Sequence, residues 1–276
     1  MMVYYCYISH QRRNIVKKFI SLKKILLVAG IIIAFTIPTL FAQAQSEDAN
    51  TISFAGSGGY PPFNYITDSG DVIGFDVDVA QEIADRLGKT MEYKTTAWDG
   101  IVEGLRAKRY DAILGSMGIT PEREERVDFS IPYYFSGPQL IVRKDSSIKG
   151  PSDLKSSDSV ALVTGTTFEQ DGKKLGVVVK LYEDDNQTLM ELINGRVEGV
   201  LTDRIVGLNA IGKLRGGENL ILVGSTLRTE TMGIAFHNDS DMLREKVNAT
   251  LKEMFADGTM KAISGKWFNG QDITVK

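Results

Sequence analysis

Three short stretches of the chain combine residue types that recognise opposite charges. Ser116 to Arg123 reads SMGITPER. Thr120 suits a helix cap and Pro121 the first helical position. That arrangement sets backbone N–H groups beside the Arg123 guanidinium, and both favour a carboxylate: a helix start attracts anions and Arg offers a two-pronged donor. Gly165-Thr166-Thr167, followed by Phe168 and Glu169, marks a second helix start. Thr166 with Glu169 fits a capping box, and Thr167 with Gln170 fits one shifted by a residue, so this end can also hold an anion. Asp203 follows an apolar run, where an acceptor-only carboxylate suits an ammonium group. Tyr60 and Trp98 are amphipathic rings suited to cleft walls, whereas Phe63 reads better as core. Each residue has a plainer alternative. Arg123 could pair with its acidic neighbours at the surface, the threonines could be ordinary caps, Asp203 could cap a helix or turn, and the rings could pack in a core. Taken together, two anion sites and one cation site fit a zwitterion, with its α-carboxylate on Arg123 and Thr167 and its α-ammonium on Asp203.

Composition removes several other chemistries. The only cysteine of the 276 residues is Cys6, and the only histidines are His10 and His237. A Cys-based nucleophile or metal site has no residues to use, and a serine triad or zinc site would rest on His237 alone. The GSGGY glycines are not followed by Gly-Lys-Ser/Thr, so no phosphate loop is read there. No metal and no cofactor is expected. The first 44 residues hold Arg12, Arg13, Lys17, Lys18, Lys23 and Lys24 and no acid; removing those six from 32 basic residues leaves 26 against 35 acidic ones, about −9. Such an acidic body does not suit nucleic acid, whose binding rests on neutralising phosphates.

The leader itself has a secretory pattern. Lys23-Lys24 precede an apolar run from Ile25 to Phe35, and Ala42-Gln43-Ala44 offers a small-x-small cleavage site. A signal peptide over 1–44 is expected, with the mature chain in the periplasm; the alternative is an uncleaved anchor.

The body must then position the candidate residues. TISFAG over 51–56 reads as a strand, Gly74 to Gly88 as a helix, Met91 to Thr95 as a strand, Trp98 to Lys108 as a helix and Asp111 to Leu114 as a strand. The rhythm returns with strands at 160–163, 177–181 and 197–201 and helices at 166–174 and 187–194. Two segments echo each other, GLRAKRYDAILGS at 104–116 and ELINGRVEGVLTD at 191–203. Each runs from helix through a buried strand to small or polar residues, at the strand end where open α/β sheets bind ligands. Two α/β lobes facing one cleft are expected: lobe 1 over 51–138 plus 237–276, lobe 2 over 143–231. Hinge strands at 139–142 and 232–236 would join them. The C-terminal helices, 240–255 and 260–267, return to lobe 1.

At YPPFNY, GFDVDVAQEIADRLG, WDGIVEGLRAKRYDAILGSMGITPERE, VDFSIPYYFSG, TGTTFE, GRVEGVLTDR and FADGTMKAISGKWFNG the sequence resembles the bacterial extracellular solute-binding proteins of family 3, the polar amino-acid-binding proteins of ABC transporters. These motifs span essentially all of the chain after the leader, in the family's order. The resemblance implies an α/β, type II periplasmic-binding-protein fold and a monomer that closes on an amino-acid-like zwitterion and delivers it to the permease subunits of an ABC transporter. It implies that Tyr60 and Trp98 flank the ligand side chain, that Gly115 and Ser116 contact the ligand, and that Arg123, Thr167 and Asp203 hold its charged groups. Ser57, Met117, Gly118 and Phe168 complete the implied pocket. Relatives usually carry Ser or Thr where Gly118 stands, and binders of basic amino acids often carry an acid where Ser57 stands. The smaller pair leaves room for a bulkier ligand such as an amino-acid conjugate. No catalytic residue is expected; the alternative function is a cyclohexadienyl (prephenate or arogenate) dehydratase on the same fold.

Overall fold

The computed structural model describes residues 50–276; the expected leader lies outside the described residues. TISFAG forms β1 (Thr51–Gly56), buried from its second residue onward. A small three-stranded sheet follows, made of β2 (Gly59–Tyr60), β3 (Asn64–Ile66) and β4 (Val72–Ile73). In α1 (Phe75–Arg86) the buried Phe75, Val79, Ala80 and Ile83 recur at helical spacing and form its inward stripe. Then come β5 (Thr90–Thr95), a 3-10 turn at Trp98–Gly100, α2 (Ile101–Arg106) and β6 (Ala112–Gly118). β6 continues four residues past the expected end at Leu114. Its small residues are held in a ladder by a later antiparallel strand, which the local sequence does not announce. The short α3 (Pro121–Glu124), β7 (Asp128–Phe129) and β8 (Tyr134–Ser136) close this part.

The second part repeats the plan: β9 (Pro138–Arg143), β10 (Ser159–Val163), α4 (Phe168–Leu175), β11 (Val178–Tyr182), α5 (Asp185–Ile193), β12 (Gly199–Asp203), α6 (Arg204–Lys213) and β13 (Leu220–Val223). The chain returns through β14 (Glu230–Phe236), α7 (Asp241–Ala256) and α8 (Thr259–Trp267). Strand order is β5-β1-β6-β14-β7 in the first sheet, with β8 also on β14, and β11-β10-β12-β9-β13 in the second. In each, the first three strands are parallel and the fourth is antiparallel.

The echo between the two segments is structural. Asp111, just before β6, accepts the Ser53 N–H at 2.7 Å and the Ser53 hydroxyl at 2.8 Å. Glu198, just before β12, accepts the Ser159 N–H and hydroxyl, each at 2.7 Å. The same acid-to-serine clamp therefore ties β6 to its neighbour β1 and β12 to its neighbour β10.

Gln139–Val142 and Met232–Phe236, expected as the two hinge strands, are members of the two sheets. β9 lies between β12 and β13, and β14 between β6 and β7. Their fully buried Leu140, Ile141, Ile234 and Phe236 explain this, because such a run is stable only with both faces covered. The chain instead passes between the sheets at Gly137 and at residues 224–229. There Leu227 N–H donates to Pro138 O at 2.9 Å. Among the described residues no helix is long and apolar enough to cross a membrane.

Candidate functional site

The ends of β1, β6 and β10 and the start of α5 converge on a narrow cavity of about 40 Å3. Ser57, Tyr60, Trp98, Gly115, Ser116 and Gly118 line it from the first sheet's side, together with Arg123. Thr167 and Phe168 line it from the second. Nine of the eleven residues singled out in the sequence thus share one cavity.

Local structure sets each of them. Tyr60 stacks on the fully buried Phe63, centroids 5.4 Å apart, and Phe63 stacks on Tyr134 at 5.0 Å, so an aromatic column fixes the cavity wall. Ser116 has a positive φ of 60°, a conformation that costs a non-glycine residue on the order of 1 kcal/mol. Its N–H donates to Tyr133 Oη at 3.0 Å and its hydroxyl to Asp76 Oδ2 at 2.9 Å, which offsets that cost. Asp76 also accepts the Tyr133 hydroxyl and Asn64 Nδ2, and Asn64 Oδ1 accepts the Gly58 N–H at 2.9 Å. One buried carboxylate therefore braces both the 57–60 loop and the end of β6. Burial pushes Asp76 up to about 7, against the pull of its three donors.

Thr120 caps α3 by accepting the Arg123 N–H, with Pro121 at the first helical position. The half-buried Arg123 guanidinium lies 5.7 Å over the Trp98 ring. It donates to Gly118 O at 2.8 Å and to Gly165 O at 3.2 Å, and Trp98 Nε1 donates to the same Gly165 oxygen at 3.3 Å. Burial lowers the Arg123 pKa. Neither capping box takes the expected form. Glu169 reaches back to the Gly165 N–H at 2.5 Å, and the Thr167 hydroxyl leaves the helix to donate to Glu230.

Two singled-out residues lie off the cavity. Met117 is 1% exposed and packs with Ile101 and Leu105, whereas its neighbours Ser116 and Gly118 line the cavity. Asp203 is fully buried and caps α6, accepting the Ile205 N–H at 2.7 Å. Its Oδ2 has no hydrogen-bond partner, and neither do the buried Tyr134 Oη and Ser136 Oγ. Ser136 lies near enough to steady the Asp203 charge without meeting hydrogen-bond geometry. Burial raises Asp203 to about 6.

The cavity also holds acids that sequence reading missed. Asp185, 4% exposed, accepts the Thr202 hydroxyl and is raised by burial to about 7. Asp184 caps α5 through the Gln187 N–H at 2.9 Å, a D-x-x-Q pattern legible in the sequence. Glu230 is a lone acid opening the apolar run of β14, which was its only signal.

Residues 52–270 match the family model of bacterial extracellular solute-binding proteins, family 3. The chain belongs to this family. Similar family-3 proteins include the L-cystine-binding protein TcyJ of Escherichia coli K12, 35% identical over 232 residues, 83% of this chain and 86% of that protein. Another is the ABC transporter arginine-binding protein 1 of the same strain, 31% identical over 250 residues, 89% and 99% of the two chains. Among solved structures, an ancestral arginine-binding protein bound to glutamine superposes with a TM-score of 0.76 at 37% identity, covering 80% of this chain and 99% of that one. An ancestral amino acid-binding protein that is a precursor of cyclohexadienyl dehydratase gives a TM-score of 0.74 at 33% identity, covering 79% and 96%. The family-3 chain has the type II periplasmic-binding fold of these neighbours, two α/β lobes with a cleft between them. Its named relatives are binding proteins rather than enzymes.

Proposed function

We propose that the protein is the periplasmic substrate-binding component of an amino-acid ABC transporter, that it works as a monomer, and that the lobes close on a zwitterion which is then passed to the permease. The observation that carries this reading is one cavity lined by both the Arg123 guanidinium and Thr167 at the start of α4; Asp203, which lies off that lining, keeps a buried Oδ2 without a partner. Arg123 and the N–H groups at the start of α4 hold the α-carboxylate. Asp203, freed of a competing donor, holds the α-ammonium, with Tyr60 and Trp98 flanking the side chain. Gly137 and residues 224–229 act as the hinge. The acids Asp184 and Asp185 favour a ligand with a second nitrogen, consistent with relatives named for cystine and arginine.

The test is a thermal-shift panel of L-amino acids, amino-acid conjugates and cyclic acids on protein unfolded and refolded to strip ligand. A ligand at about 100 times its dissociation constant adds roughly 2.7 kcal/mol. A shift with amino-acid-like compounds that is lost in Arg123→Ala and Asp203→Ala supports the reading. No shift with any zwitterion, or consumption of a cyclic acid, defeats it.

A further inference from the structure

Glu230 stands at the carboxylate end of the cleft. It is 5% exposed and lines the cavity with Arg123 and Thr167. Its Oε1 accepts the Thr167 hydroxyl and pairs with Arg228 Nη1 at 2.9 Å. Arg228 is shared, because its Nη2 lies 2.7 Å from Asp171 Oδ2. A Cβ built on Gly118 would lie 3.1 Å from Glu230 Oε1 and 3.5 Å from Arg123 Nη1. The carboxylate and the Arg123 guanidinium therefore flank the same bare glycine.

Three consequences follow from this placement. A threonine hydroxyl has one proton, and the proton of Thr167 is given to Glu230 rather than left for an incoming group. The carboxylate fills room that a side chain at position 118 would take. A ligand carboxylate seated between Arg123 and Thr167 then has a like charge beside it, which costs affinity in a desolvated site. Arg228 offsets only part of that charge, since it also serves Asp171.

We infer that Glu230 is a specificity-determining residue, an internal carboxylate that competes with the ligand's own carboxylate for the Arg123–Thr167 end of the cleft. It weakens the binding of zwitterions and narrows the preference for an amino acid over its uncharged α-amide. The inference rests on reading the cleft as an amino-acid site.

The experiment is calorimetric titration of the purified protein and of Glu230→Gln with L-amino acids and their α-carboxamides. Gln keeps the size and an acceptor for Arg228. Glu230→Gln is expected to bind the amino acid roughly tenfold tighter, with the α-amide changed by less than about threefold. An unchanged acid-to-amide ratio or weaker binding in Glu230→Gln overturns the inference. A correctly folded wild type that binds no amino acid overturns the cleft reading, and the inference with it.

Discussion

The Ser116 hydroxyl donates to Asp76 Oδ2 at 2.9 Å, although the two residues are 40 positions apart and Asp76 makes no cavity contact of its own. Through it the carboxylate holds a strained cavity-lining residue in place. Asp76→Asn sets an amide N–H2 against groups that are all donors. About 2–3 kcal/mol of stability should be lost, and ligand affinity should fall at least tenfold. Ser116→Ala breaks a single link and should cost about 1 kcal/mol. Urea denaturation and calorimetry measure both. Unchanged affinity in folded Asp76→Asn would free the cavity wall from this brace.

Stability should fall as pH rises from about 4 to about 7. Burial raises Asp76 and Asp185 to about 7 and Asp203 to about 6, all above the ordinary aspartate value. In that window the native state holds protons that the unfolded chain has released, so each step up in pH favours unfolding. Asp257, held at about 2 by Thr259 and Arg86, acts in the opposite sense, but only below about pH 4. The urea midpoint at pH 5 should exceed that at pH 8, by at least about 1 kcal/mol in unfolding free energy. A midpoint that rises with pH would contradict the assignment.

Trp98→Phe keeps a ring beneath Arg123 and removes the N–H that reaches Gly165 across the cleft. Arg123 still donates to that oxygen, so the expected loss is about 0.5–1 kcal/mol, a two- to fivefold weaker ligand affinity. Trp98→Ala also removes the stacking surface and should lose tenfold or more. Equal effects of the two substitutions would assign the whole contribution to the indole N–H and none to the ring.

Gly137→Ala should disturb the passage between the lobes. A Cβ at this position would strike the Arg228 carbonyl oxygen on the other crossing segment. The expected outcome is a loss of about 2 kcal/mol or more of stability and a changed radius of gyration in solution scattering. A variant with wild-type scattering and stability would show that the segments can part freely there.

Much of this arrangement was legible in the sequence, and the reasons for the rest are physical. The cap at Thr120-Pro121, the stripe of α1 and the alternation of strands and helices all follow from spacing within a few residues. What escaped depends on distant partners. β6 runs on to Gly118 only because β14 pairs with Gly118 and Met117. Helix α6 went unread because its apolar residues lie all round and Gly207 fits against Ile141 and Leu222. The Thr167 hydroxyl could not be assigned to a cap or to Glu230 without knowing that a residue 63 positions away stands opposite.

The paired clamps, Ser53 with Asp111 and Ser159 with Glu198, sit where the sheets begin, at the far end of the strands from the cleft. Each lobe is thus fastened by its own rivet, and neither rivet lines the cavity. A lineage that carries such a frame can rewrite the cleft residues, exchanging Gly118 or Ser57 for other side chains, while the fastening of both halves stays untouched. Change of ligand and loss of fold are separated in space, so drift in one need not endanger the other.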